Sequence, residues 1–228
     1  MSFNWTQLVV GHEHAHVATL AVSSVALLGM GLYARAKLGR GEEAIVPAGK
    51  FSLRGIFELN TEFISKLCYS VIGHRAGPYV PFYATIFAIV FFNNIIGIIP
   101  GMTPATENIN TTFAFGVFSF LVYNIVGLKH GGLHYLKHFL GPVWYLAPLM
   151  LVIEIISHLI RPLTLSLRLA NVMTGDHTVL AVFLGLVKYP LLYPIPFYLL
   201  GLVVCFIQAF VFTLLSMVYV SLALADEH

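Results

Sequence analysis

Charged side chains are what this sequence has least of. Asp, Glu, Lys and Arg make up 10% of its 228 residues, where a soluble globular domain carries roughly 25%. With 58% hydrophobic residues and a mean hydropathy of +0.86, the chain has too little polar surface to face water as a soluble monomer. Cysteine is nearly absent too. Cys68 and Cys205 are isolated, with no CxxC spacing, and read as small buried apolar residues. No P-loop is present, so any nucleotide chemistry lies in another chain. No tandem repeat and no low-complexity tract is visible. The opening MSFNWTQLVVGHEHAH lacks a basic n-region and a small-residue cleavage site, so the first hydrophobic stretch is expected to be a retained span.

What is present is a series of apolar runs. Each span needs about 20 apolar residues plus a connection, so the length suits five or six helices in a single membrane domain, 1–228. The first unit, 1–34, carries a span over 17–33. The second, 35–78, holds a Gly- and Pro-broken loop and then an amphipathic helix over 51–72, with Leu53, Ile56, Phe57, Phe63, Ile64, Leu67 and Val71 on one face and Arg54, Glu58, Glu62 and Lys66 on the other. That pattern fits a helix lying at the interface. The third unit, 79–140, holds spans over 81–99 and 111–128 and a polar stretch over 129–139. The last, 141–228, is almost continuously apolar from 143 to 224 and reads as a long helical hairpin that turns near 188–196. The fold class is all-α: about five membrane helices plus the interfacial one.

Net charge is +2, which gives no polyanion signal and no nucleic-acid partner. Seven of the twelve basic residues lie between Arg35 and Arg75, whereas the connection around 102–112 has no Lys or Arg. Basic connections stay on the cytoplasmic side. The N-terminus is therefore expected outside and the C-terminus in the cytoplasm, and a bacterial inner membrane is the expected location.

The first half of the hairpin carries charge inside the apolar run. Glu154, Arg161 and Arg168 are spaced seven apart, as are Ser157, Thr164 and Asn171. Seven residues are close to two turns, so each set forms a row along one side of a helix. An ionised side chain at the bilayer centre costs at least about 2.5–3.5 kcal/mol, so the default reading is an ion or substrate pathway. Glu154 and Arg161 can instead neutralise each other, and Arg161 can snorkel to the interface. Arg168 has no acid within four residues, and its partner must come from another helix or another subunit. Its guanidinium stays charged where a lysine would lose its proton. A fixed cation draws a proton off a carboxylate and repels a passing cation, which blocks a leak between two half-pathways. Asp176 and His177 titrate and can relay protons, or sit as a solvated helix-end pair. Gln208 is the strongly polar side chain of the last run; its amide can hydrogen-bond a guanidinium or tether two helices.

These residues carry a resemblance. EIISHLIRPLTLSLRLANVMTGDH, FIQAFVFTLLSMVYVSLALADEH and FNNIIGIIPGMTPATENINTTFAF are similar, in order and spacing, to three signatures of subunit a of the F-type rotary ATP synthase. The resemblance covers about residues 50–228. It implies a non-catalytic stator subunit of that complex, offering two aqueous half-channels to carboxylates on a rotating c-ring, with peripheral-stalk b subunits as further partners and protons (or sodium) as the ion. The family arginine falls on Arg168 and its glutamine on Gln208. Glu154, Ser157 and His158, with Arg161 and Asn171, belong to the implied ion pathway, and Asn93, Asn94, Glu107, Asp176 and His177 are the candidates for its outer half. The sequence departs from the family pattern at Gly97, where some members carry an acid, at Gly201, where some carry a histidine, and at His177, often Glu.

Two histidine groups stand apart. His12, His14 and His16 form an HxHxH run, and His130, His134 and His138 recur every four residues. Either set can bind a metal, but without Cys or a clear acidic partner both read as interfacial polar residues, and no metal or cofactor is expected. Two other functions compete. An intramembrane metalloenzyme would need a second histidine to complete the Glu154–His158 pair, and a secondary transporter would show repeats of broken helices.

Overall fold

The computed structural model describes residues 15–37, 52–99, 102–138, 147–186 and 194–225. Among them every regular element is helical: α1 (Ala15–Ala36), α2 (Leu53–Ile72) with a 3-10 segment Gly73–Tyr79, α3 (Val80–Ile96), a 3-10 turn Ala105–Glu107, α4 (Ile109–His138), α5 (Ala147–Leu186) and α6 (Pro194–Ala225). Five helical stretches are long and apolar enough to cross a membrane. The 22 residues of α1 extend about 33 Å, close to the hydrocarbon thickness of about 30 Å. The 40 residues of α5 extend about 60 Å. Such a helix must tilt or project past the apolar core.

The expected amphipathic helix is α2. Ser52 caps it, accepting a 3.2 Å hydrogen bond from the Gly55 N–H. Its charged side closes on itself through Arg54–Glu58 at 2.5 Å and Lys66–Glu62 at 2.7 Å, each i,i+4. Its other side buries Ile64 and Cys68 and sets the Phe63 ring 6.0–6.1 Å from those of Phe87, Phe206 and Phe210. The end of α2 is tied to α6 by Ser221, whose hydroxyl donates to the Val71 carbonyl at 2.8 Å.

The core lies where α3, α4, α5 and α6 meet, around Tyr83, Val90, Tyr123, Leu169, Met173, Met217 and Val220. Lipid tails are as apolar as leucine, so hydrophobicity alone does not hold these helices together. Small and polar contacts do much of it. Tyr83 donates to the Ser216 carbonyl at 3.1 Å, and the Ser119 and Ser216 hydroxyls meet at 2.5 Å. Asn60 donates to the Ala84 carbonyl at 3.1 Å.

Two boundaries differ from the sequence reading. The span expected over 111–128 continues as helix to His138, but Gly132 breaks it with φ 51° and ψ −134°, a conformation open to glycine alone at little cost. His130 lies before the break, and the side chains of His134 and His138 lie outside the described residues. The span expected over 81–99 ends at Ile96: Gly97 caps it and the chain leaves in a turn, with the Ile98 N–H on the Ile95 carbonyl at 2.9 Å. His12, His14, the loop at 38–51 and the hairpin turn with Lys188 lie outside the described residues.

Candidate functional site

On α5 the two rows of polar residues merge into one stripe. Glu154, Ser157, Arg161, Thr164, Arg168, Asn171 and Gly175 follow one another at steps of three or four, and all are half-buried or exposed. Another face of α5 is buried: His158, Pro162, Leu165, Ser166, Leu169, Ala170 and Met173 pack into the bundle. The stripe therefore looks outward. Arg168 is exposed at its middle and makes no hydrogen bond or ion pair among the described residues. A permanent cation on the outer face of a membrane-length helix needs a partner, and the described residues do not supply one. Gln208 on α6 is 8% exposed, and it makes no hydrogen bond with Arg168.

On one side of Arg168, Glu154 lies 14 residues away, about 21 Å along the helix. Its Oε1 is 3.4 Å from the Nδ1 of buried His158. The His158 ring lies 5.7 Å from Tyr123 on α4. Tyr123 is 5.9 Å from Tyr219 on α6, and the Arg161 guanidinium sits over the Tyr219 ring at 5.4 Å. Tyr123 and Tyr219 were not singled out as site residues. Tyr219 is the tyrosine of the second signature quoted above, FIQAFVFTLLSMVYVSLALADEH, so a signal existed for it; none existed for Tyr123.

On the other side, His177 lies nine residues from Arg168, about 14 Å along the helix. Asp176 and His177 turn from the outward stripe into the bundle. Asp176 faces Gly201 of α6, and His177 faces Gly97 of α3. The His177 Nδ1 is 3.7 Å from Glu107 Oε2, which brings together two residues 70 apart in sequence.

Asn93 and Asn94 are buried and already occupied. Asn93 accepts from the Ser23 hydroxyl at 2.7 Å and donates to the Ile89 carbonyl at 2.9 Å. Asn94 accepts from the Thr106 hydroxyl at 2.7 Å and donates to the Cys205 carbonyl at 3.5 Å. Both act as ties between helices, holding α1 to α3 and the 105–107 turn to α3 and α6. Among the described residues no three His, Cys, Asp or Glu side chains come together.

The fold and this stripe define a class: a multi-pass α-helical membrane protein that presents, on the outer face of a long helix, an arginine with no partner among the described residues. A family profile described as ATP synthase A chain matches residues 17–221. The chain is 65% identical over 231 residues, with all of both chains covered, to ATP synthase subunit a of Bdellovibrio bacteriovorus. It is 47% identical to ATP synthase subunit a of Geobacter sulfurreducens, over 80% of this chain and 78% of that one. It is 44% identical to ATP synthase subunit a 2 of Syntrophotalea carbinolica, over 93% of this chain and 87% of that one. The chain belongs to the ATP synthase A chain family, as a membrane subunit of the rotary ATP synthase.

Proposed function

We propose that this subunit is the static half of an ion-driven rotor, carrying protons to and from carboxylates on a ring of partner subunits through two aqueous half-pathways. The observation that carries this reading is Arg168: exposed, permanently charged, and without a partner among the described residues. A ring carboxylate arriving opposite it would be held ionised, so it must release its proton on one side and take one up on the other. The guanidinium also repels a free cation that would short-circuit the two halves. Glu154, Ser157, His158 and Arg161 supply polar groups on one side, and Asp176, His177 and Glu107 on the other. The field supplies about 2.3 kcal/mol per charge per 100 mV. The subunit catalyses no covalent chemistry; it provides the path and the barrier. The basic connections support an orientation with the N-terminus outside and the C-terminus inside a bacterial inner membrane, with peripheral-stalk b subunits as the expected neighbours. Choice between proton and sodium rests with the ring carboxylate.

The test is ATP-driven pumping in inverted membrane vesicles. Arg168→Ala abolishes it while ATP hydrolysis by the assembled complex continues, and passive leak rises. Pumping at the unmodified level by Arg168→Ala sinks the assignment.

A further inference from the structure

We propose that Gly97 is a positioning residue for the outer half-pathway, and that its missing side chain is the seat that turns His177 toward Glu107, the point of proton entry. This rests on the ion-translocating reading above and adds to it what brings its outer members Glu107 and His177 together.

Backbone freedom does not explain this glycine, because its φ of −66° and ψ of −19° suit any residue. Space does explain it. An ideal Cβ on Gly97 would lie 2.6 Å from both Cε1 and Nε2 of His177 and 2.7 Å from Pro104 Cγ, far inside the 3.5–4.0 Å or so of a normal carbon contact. The imidazole can swing about its side-chain bonds, but the Pro104 ring is fixed, so a methyl here displaces the His177 ring and still meets Pro104. Gly201 differs, since a Cβ there would be 3.1 Å from Asp176 Oδ2, the end of a rotatable carboxylate. Gly175, on α5 itself, has nothing within 4 Å.

The other edge of the imidazole meets a carboxylate with an unmet need. Glu107 Oε2 is buried and has no hydrogen-bond partner among the described residues, and His177 Nδ1 stands 3.7 Å away. The rest of the Glu107 side chain is one-third exposed. One oxygen is thus sealed beside the imidazole while the residue still reaches the surface. A buried, unpaired carboxylate oxygen is costly, and the nearby ring nitrogen is the group that can relieve it. The gap exceeds a direct hydrogen bond and closes with a small shift or one bridging water. In the transfer, the Glu107 O–H bond breaks and an N–H bond forms at Nδ1, leaving a carboxylate and an imidazolium. Any side chain at position 97 would fill the space the His177 ring occupies. The groups facing His177 are Glu107 from the 105–107 turn and Asp176 beside it on α5.

The experiment uses the whole complex in its membrane and a double-mutant cycle of Gly97→Ala and His177→Ala, read by thermal stability and by ATP-driven pumping. Gly97→Ala alone lowers the melting temperature and cuts pumping about tenfold or more, the scale on which misplacement by an ångström acts. With the ring removed only the Pro104 contact at 2.7 Å remains, so Gly97→Ala costs clearly less stability in the His177→Ala background than it does alone. Glu107→Gln lowers pumping without the stability loss, and Gly201→Ala is milder than Gly97→Ala in both measurements. Equal stability losses from Gly97→Ala in both backgrounds overturn the seat. Unchanged pumping by Gly97→Ala or by Glu107→Gln overturns the positioning role. Failure of the broader reading shows elsewhere: Arg168→Ala would pump normally while the stability cycle between Gly97 and His177 stayed intact.

Discussion

Ser23 on α1 donates a 2.7 Å hydrogen bond to Asn93 Oδ1 on α3, and both side chains are buried. This tie matters because α1 is otherwise thinly packed: Val22, Val25, Leu28 and Leu32 all face outward. Hydrogen bonds between membrane helices average about 0.6 kcal/mol and reach about 1.7. Asn93→Leu removes the acceptor and leaves the Ser23 hydroxyl with only the Leu20 carbonyl. The expected result is a lower melting temperature of the complex and easier proteolytic release of α1, with much of the pumping retained. Pumping abolished at unchanged stability would instead make Asn93 a member of the ion path.

At Gly116 α4 packs tightly against α5. A Cβ there would meet the Ser166 hydroxyl and lie 2.7 Å from the Pro162 carbonyl. Ser166 is held in place, because its hydroxyl donates to that same carbonyl at 2.6 Å. Gly116→Ala should cost about 1–3 kcal/mol through overpacking, read as a fall in melting temperature. Adding Ser166→Ala should recover only part of it, since the backbone carbonyl cannot step aside. Full recovery would show that the hydroxyl alone sets the distance.

The spans and Arg168 were legible in the sequence for one reason: apolar runs of membrane length and a deep charge with no local partner are both one-dimensional signals. The break in α4 had a signal as well, in the adjacent Gly131 and Gly132, but a glycine pair inside a polar stretch does not say whether a helix ends or turns. Asn93 and Asn94 show the limit. An asparagine in an apolar run reads the same whether it lines a path or ties two helices, and its partners Ser23 and Thr106 lie on other elements. Likewise, Gly97 and Gly201 read as gaps in the family pattern until the fold brought His177 and Asp176 against them. Contacts between residues 70 or more apart carry no local signature.

Arg161 is half-buried with its guanidinium 5.4 Å from the centre of the Tyr219 ring. A desolvated cation–π contact contributes about 2 kcal/mol, an exposed one about 0.5–1. Tyr219→Phe keeps the ring face and should keep both stability and pumping near the unmodified level. Tyr219→Leu removes the quadrupole and should lower the melting temperature. In the Arg161→Ala background that loss should shrink, because the cation is already gone. An undiminished loss would mean that Tyr219 acts through its neighbour Tyr123 instead.

Gln208 and Arg168 separate a supporting role from an essential one. Gln208 lies buried on α6 while Arg168 is exposed on α5, and the two are not hydrogen-bonded in this structure. If the arginine is the barrier, removing its charge and removing a nearby amide must differ in kind. Arg168→Ala should abolish ATP-driven pumping in inverted vesicles. Gln208→Leu should leave the charge in place and lower pumping partially. Arg168→Lys is the sharper case: an ammonium buried against the ring can lose its proton, whereas a guanidinium cannot. The lysine variant should therefore pump poorly and leak more, because a neutral amine neither ionises the carboxylate nor repels a cation. A block by Gln208→Leu as complete as that of Arg168→Ala would place the amide in the barrier itself.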